Sequence, residues 1–384
     1  MPAGSARRKG IALTDRQRIA WLRLIRSDNV GPATFRDLIN HFGSAETAIE
    51  ALPELSRRGG STRSIRIASE GEAIRELETA TRFGARFLGI GEPDYPFALR
   101  QIDAAPPLLA VKGDLATASL PSVGVVGSRN ASISGAKFAA MISRDIGRAG
   151  YSIISGLARG IDTAAHRATL ETGTIAAMAG GLDQPYPPEN LSLYRDICDG
   201  RGLAISEMPF GWEARARDFP RRNRLIAGVS LGVVVIEAAA RSGSLITARL
   251  AGEFGRLVFA VPGSPLDPRC EGTNGLLKDG AMVTTRPEDV LQALAPISRI
   301  DLFTQPQAEE PDAGEHDRPM APPPSDSDRT RIIDALGPTP VEVDDIIRHT
   351  GLAAQSVYLV LLELDIAGRL HRHAGGLVSI SMMD

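Results

Sequence analysis

The 384-residue chain is predicted to be an α/β protein built on a doubly wound, mainly parallel sheet, with a small helical domain before it and a winged-helix domain after it. Three observations predict this. Between Ser122 and Ala295 short apolar runs alternate with segments of helical periodicity, the pattern of a parallel sheet covered on both faces. Ahead of that core, helix-period segments are joined by Gly-containing turns. Behind it, three more are followed by two short strand-like runs.

In chain order, residues 1–14 read as a disordered tail. Residues 15–84 form the helical domain. Its first helix carries Ile19, Ala20, Leu22, Leu24 and Ile25 at helical spacing; the turn Asn29-Val30-Gly31-Pro32 follows, and further helices fit Ala33–His41 and Ala45–Leu52. Helix, Gly-containing turn, helix resembles a helix-hairpin-helix or SAM-like unit. Such a turn offers backbone N–H groups to a phosphate, although a packing role fits as well. Another helix is expected within Ile65–Phe83.

Residues 85–300 form the core with its N-terminal extension. The extension holds a short strand, Ala85–Ile90, and a Pro-led edge strand, Ala105–Val111. Strands are then expected at Val123–Val126, Ser152–Ile154, Thr174–Met178, Leu203–Ile205, Gly232–Ile236 and Leu257–Ala260. Between them helices fit Ser132–Ala149, Ile161–Glu171, Asn190–Asp199, Arg222–Ala227 and Leu245–Phe254. Residues 304–328, rich in Pro, Asp, Glu and Ser, read as a semi-extended linker. In residues 329–384, helices at Arg329–Leu336, Val343–Thr350 and Gln355–Ala367, then a hairpin of Leu370–His373 with Leu377–Ile380, give the order of a winged helix.

Composition narrows the partners. A formal net charge of −3 excludes a wholly basic nucleic-acid coat, so any phosphate site is local. Lys occurs only at Lys9, Lys112, Lys137 and Lys278, leaving Arg, the better bidentate phosphate ligand, as the main cation. Cys198 and Cys270 have neither short spacing nor a nearby His cluster, which argues for free thiols in a reducing compartment and against a zinc site. Signal-peptide and membrane-spanning patterns are missing, so a cytoplasmic protein without a membrane partner is expected.

The chemistry gathers at strand ends. Gly127-Ser128-Arg129 follows the first core strand, Ser155-Gly156 the second, and Glu237 with Ser242-Gly243-Ser244 the fifth. In a doubly wound domain these ends share one edge, where ligands bind. Small residues there let a sugar-phosphate backbone approach the main chain, and helix N-termini favour anions. Arg215, Arg217, Arg221, Arg222 and Arg224, with Phe219 and Asn223 among them, supply cations and a stacking ring suited to single-stranded nucleic acid.

Other chemistries fit less well. A dinucleotide fingerprint needs G-x-G-x-x-G, but Gly124-Val-Val-Gly127 has the wrong spacing and Arg129 occupies the turn; a P-loop motif is missing too. Neither a cofactor nor a metal is expected. Asp162 and His166, four apart on a helix, are candidates for an acid–base pair, but each has a structural reading: a first-turn cap and a packed imidazole. Glu237 is placed to orient the Ser242 loop or act as a base. His371 and His373 share one side of a wing strand.

These segments together resemble the bacterial DNA-processing protein A (DprA/Smf) family. The likeness runs through Val126–Arg129, Ser155–Asp162, Ala165-His166, Gly180–Asp183, Tyr186-Pro187 with Asn190, and Ile205–Glu207. It continues through Phe219–Gly228, Glu237-Ala238, Ser242–Ala248, Val261–Gly263, Gly272–Asn274 and Gly280-Ala281. The resemblance implies an extended Rossmann-like domain that binds and protects incoming single-stranded DNA in natural transformation and helps load the recombinase RecA, without enzymatic turnover. It also implies a homodimer joined through that domain. Gly127, Ser128 and Arg129 would hold phosphates, with Ser155, Gly156, Ser242, Gly243 and Ser244 lining the same pocket. Arg217, Arg222, Asn223 and Arg224 would extend the track, and Phe219 would stack a base.

The alternative, a Rossmann-like hydrolase cleaving the glycosidic bond of nucleoside monophosphates, requires acids at the strand ends, where Glu237 alone is well placed. A transcription regulator reading duplex DNA with the C-terminal unit fails on charge. Helix Gln355–Ala367 contains Glu363 and Asp365 and neither Lys nor Arg, so its apolar run suits a core or a protein contact.

Overall fold

The computed structural model describes residues 12–299 and 324–381. The expected N-terminal tail and the linker fall largely outside the described residues. The chain forms two compact units: one contains residues 75–299, the other residues 14–74 and 324–381.

The chain opens with helices α1 (Asp15–Ile25), α2 (Pro32–Phe42) and α3 (Ala45–Arg58). A capping box starts α1: Thr14 accepts from the Gln17 N–H and the Gln17 side chain accepts from the Thr14 N–H. α2 begins at Pro32 and stops at Gly43, which takes the left-handed conformation with φ 76°. α3 runs on through Pro53, past the expected stop at Leu52. Burial of Leu55 and ion pairs from Glu54 to Arg57 and Arg58 support the added turn.

The larger unit contains most of α4 (Glu70–Arg82), then β1 (Arg86–Gly89), α5 (Phe97–Arg100), β2 (Leu108–Gly113), β3 (Ser122–Gly127), α6 (Ile133–Arg148), β4 (Ser152–Ser155), α7 (Ile161–Ala168) and β5 (Thr174–Ala177). α8 (Leu191–Asp199), β6 (Gly202–Ser206), α9 (Asp218–Val229), β7 (Gly232–Ile236), α10 (Gly243–Glu253), β8 (Leu257–Ala260), α11 (Glu271–Lys278), β9 (Met282–Val283) and α12 (Pro287–Arg299) complete it. One nine-stranded sheet results, in the order β1-β2-β6-β5-β4-β3-β7-β8-β9. Every pairing from β6 to β9 is parallel; β1 with β2 and β2 with β6 are antiparallel. Successive side chains feed opposite faces: Val123 and Val125 enter one core cluster and Val126 the other. Strand order reverses between β3 and β7, so the topological switch point lies at their carboxyl ends.

Two expectations need correction. β2 is not an edge strand, because β1 pairs outside it; Pro106 and Pro107 precede the ladder and cost it no donor. α11, β9 and α12 were not anticipated. α12 buries Val290 and Leu294 completely against the core, but Pro287 and an inner Pro296 obscure its periodicity.

The smaller unit joins α1–α3 to α13 (Asp326–Asp334), β10 (Val341–Glu342), α14 (Val343–Thr350), α15 (Ala354–Ile366), β11 (Leu370–Arg372) and β12 (Leu377–Ile380). The three strands pair in the order β10-β12-β11, completing the winged helix. Leu362 and Ile366 of α15 enter the core of the N-terminal helices. Asn29 donates to the Ile366 carbonyl and Thr34 to the Asp365 carboxylate, so residues of the first hairpin turn and of α2 are spent on α15. Gly59 approaches so closely that a Cβ there would lie 2.0 Å from the Glu363 carbonyl oxygen. The helix that would read duplex DNA in a winged helix is therefore a packing element here, as its composition predicts.

Candidate nucleic-acid interface

The site is built from loops at the switch point. β3 ends on Gly127, whose partner across the ladder is Ile236; a Cβ on Gly127 would sit 1.8 Å from the Ile236 carbonyl oxygen. Only Gly permits that approach. Ser128 and Arg129 follow, and Ser132 caps α6 by accepting from the Gly135 N–H. Just past the end of the neighbouring strand β7, Glu237 adopts a left-handed φ of 51°. Its carboxylate accepts from the Ser132 backbone at 2.8 Å and from the Ser132 hydroxyl. Glu237 thus orients the loop after β3, rather than the Ser242 loop expected from sequence. Ser242 caps α10 and bonds the Ser244 hydroxyl at 2.7 Å.

Between these loops lies a cleft of about 630 Å³ lined by Gly127, Ser128, Arg129, Phe219, Arg222, Asn223, Ser242, Gly243 and Ser244, all expected from sequence. Asn223 ties α9 to the third loop by donating to the Gly243 carbonyl at 3.1 Å. Ala158, Asp162 and Arg241 also line it. Arg241 was missed because it reads as an ordinary surface cation; its place immediately before the Ser-Gly-Ser turn was the available signal.

Ser155 and Gly156 do not line the cleft with the others. Ser155 is buried and donates to the Val125 carbonyl, bracing β4 against β3. Gly156 gives its N–H to Asp162, as does Ala158. Arg222 is no surface track residue: it is 5% exposed, donates from Nη1 to the Ala177 carbonyl at 2.9 Å, and leaves its buried Nε without a partner. Burial, opposed by the pull of Asp162 and aided by the charge of Arg129, lowers the pKa of the Arg222 guanidinium to about 10. Asp162 is pushed upward by burial, offset by Arg222 and the two N–H groups. The cleft floor therefore holds one buried cation facing one buried acid.

His166 is fully buried and makes no bond with Asp162. Its Nε2 accepts from the Leu157 N–H, and its Nδ1 meets the Thr174 hydroxyl, which itself donates to the Ile153 carbonyl. This arrangement fixes the neutral ring with its proton on Nδ1. Burial first, then Arg222, lowers its pKa to about 3.

The arginines sort into free and committed. Arg224 donates to the Ala104 carbonyl and pairs with buried Glu207, which also takes Arg221 at 3.1 Å; Arg224 is thus a structural ion pair and leaves the expected track. Arg217 is exposed at the N-cap of α9, outside the cleft lining. Arg129, Arg217 and Arg241 have no hydrogen bond or ion pair among the described residues. Arg129 instead lies over the Phe219 ring, 5.2 Å from its centroid.

The fold is a doubly wound α/β sheet whose switch-point cleft combines small-residue loops, helix N-termini and unpaired guanidinium groups, a combination with the chemistry to receive an anion. Comparison with known proteins is more specific. A family profile described as DNA recombination-mediator protein A matches residues 86–295, one described as a DprA-like N-terminal HHH domain matches 15–79, and one described as a DprA winged helix domain matches 316–376. The chain is 34% identical to Protein Smf of Synechocystis sp. over 92% of its length and 96% of that protein's. Protein Smf of Escherichia coli K12 is 36% identical over 74% of this chain and 75% of its own. The X-ray structure of DNA processing protein A from Streptococcus pneumoniae superposes with a TM-score of 0.60 at 34% identity, covering 73% of this chain and 98% of that one. DNA processing protein A from Helicobacter pylori, described as having a unique single-stranded DNA binding mode, gives a TM-score of 0.51 at 26% identity over 56% and 96%. The chain belongs to the DNA-processing protein A (DprA/Smf) family. No helix among the described residues is long and apolar enough to cross a membrane.

Proposed function

We propose that this protein binds single-stranded DNA without turning it over, gripping phosphates at the switch-point cleft. The observation carrying this reading is that Arg129 and Arg241 line the cleft with no acidic partner among the described residues, in a chain of net charge −3. Unpaired guanidinium groups beside helix N-termini are unfavourable unless an anion is received. Phe219 adds a stacking face at the same mouth, which favours a nucleic acid over a simple phosphate. The single-strand binding described for the Helicobacter pylori relative supports the choice of polymer.

The nonenzymatic reading is supported by the commitments of the acids and the imidazole. Asp162 accepts from two backbone N–H groups, Glu237 holds Ser132, and His166 is neutral and hydrogen-bonded at both nitrogens. Family membership supports two finer parts of the proposal: protection of incoming DNA with loading of RecA during transformation, and a homodimer joined through the Rossmann-like core. Titrating the protein with single-stranded DNA, duplex DNA and mononucleotide tests the central claim. Preference for the single strand with a steep decline in salt is expected; equal affinity for mononucleotide, or hydrolysis of it, would overturn the reading. A RecA filament-nucleation assay on protein-coated single strands tests the loading role.

A further inference from the structure

We infer that the single-strand path continues beyond the cleft onto Tyr186, which serves as a second base-stacking ring. This rests on the single-strand reading above. Tyr186 follows β5, whereas Arg129 follows β3, and β4 lies between those strands. At usual strand spacing their ends are ~10 Å apart. A strand of several nucleotides in the cleft can span that distance.

The Tyr186 ring is 48% exposed and meets the Phe219 ring edge-on, with centroids 5.7 Å apart and planes at 66°. Phe219 in turn carries the Arg129 guanidinium at 5.2 Å. Arg129, Phe219 and Tyr186 therefore form an unbroken row of guanidinium and aromatic surfaces leading out of the cleft. Among the described residues the Tyr186 hydroxyl has no hydrogen-bond partner. A large ring left half in water, with its polar end unused, contributes little to packing and presents area for a stacked base.

Its loop is held in place. The Gly181 N–H donates to the Trp212 carbonyl at 2.9 Å, and the Asp183 carboxylate accepts from the Gly211 N–H at 2.9 Å. The Tyr194 hydroxyl donates to the Leu182 carbonyl at 2.7 Å. Close backbone approach adds to this: a Cβ on Gly181 would lie 2.5 Å from the Pro209 carbonyl oxygen. The ring is thus presented on a preformed loop, which limits the entropy lost when a base stacks on it. Because every base has a π-face, the step extends the footprint without reading sequence.

The test compares the full chain with its Tyr186→Ala, Tyr186→Phe and Arg129→Ala variants, using oligothymidylates from a dinucleotide upward and a strand with one 2-aminopurine. Tyr186→Ala should weaken binding of the long strands on the order of ten-fold while leaving the dinucleotide and the melting temperature unchanged. It should also abolish stacking quench at one 2-aminopurine position, and Tyr186→Phe should behave as the parent. If Tyr186→Ala binds long strands like the parent while Arg129→Ala loses all lengths, the second ring is refuted and the single-strand reading stands. Equal loss in the Phe and Ala variants would also refute stacking. If the parent binds no single strand, both readings fall.

Discussion

Gly156 and Arg222 compete for one volume: a Cβ on Gly156 would lie 1.9 Å from Nη1 of Arg222. The backbone of the β4 loop thus forms one wall of the slot that holds the buried guanidinium at the cleft floor. Gly156→Ala should push that guanidinium off the Ala177 carbonyl. The expected cost is about 1–3 kcal/mol in urea unfolding, with reduced single-strand affinity. Gly243→Ala, where nothing lies within 4 Å of the added Cβ, is the matched control and should unfold like the parent.

Arg129 and Arg224 should separate binding from stability. Arg129→Ala is expected to weaken all single-strand sequences about equally and to lower the salt slope by about 1, with unchanged melting. Arg224→Ala takes one of its cations from buried Glu207, and should cost about 3 kcal/mol while leaving the salt slope as it was. Anisotropy titrations at several salt concentrations, beside thermal melts, check both.

His166 should make the core acid-sensitive. Its pKa is depressed to about 3 in the fold, against an ordinary value of 6.5, so the unfolded chain binds the extra proton as pH falls below 6.5. The neutral ring's contribution is therefore complete above 6.5 and is lost progressively toward 3, at up to about 1.4 kcal/mol per pH unit. His166→Gln should flatten the stability profile in that window, and the His166 ring resonances in the parent should stay neutral throughout it.

Gly59 should control the docking of α15 on α3. Its φ of −68° imposes no strain, so Gly59→Ala acts only through the clash of its Cβ with the Glu363 carbonyl. Limited proteolysis should then release the winged helix from the N-terminal helices. Duplex binding should not appear, because the freed α15 carries Glu363 and Asp365 and no basic residue. For the same reason a chain truncated near residue 302 should keep most of its single-strand affinity.

Much of the core was legible because a covered parallel sheet writes itself locally. β7 and β8 have the bounds their apolar runs predict, and β3 through β6 differ by a residue or two at their ends. α11, β9 and α12 were illegible: β9 is two residues long and α12 holds an internal proline. The lining of the cleft was legible where it depends on loop position, at Gly127–Arg129 and Ser242–Ser244. Charge was misread where it depends on burial, since Arg221, Arg222 and Arg224 look alike in sequence.

By itself, then, the sequence determined the order of strands and helices, the small-residue turns at their ends and the acidic character of α15, because periodicity, turn chemistry and composition are properties of neighbouring residues. Only the tertiary structure decided which arginines remain free to meet a ligand, which acid holds which loop, and what covers α15. Those outcomes depend on partners far apart in the chain: Glu207 claims Arg224, Glu237 reaches back to Ser132 across 105 positions, and Asp365 meets Thr34 across 331. Pairing and desolvation set the state of a charge, and both are fixed only when the chain has folded.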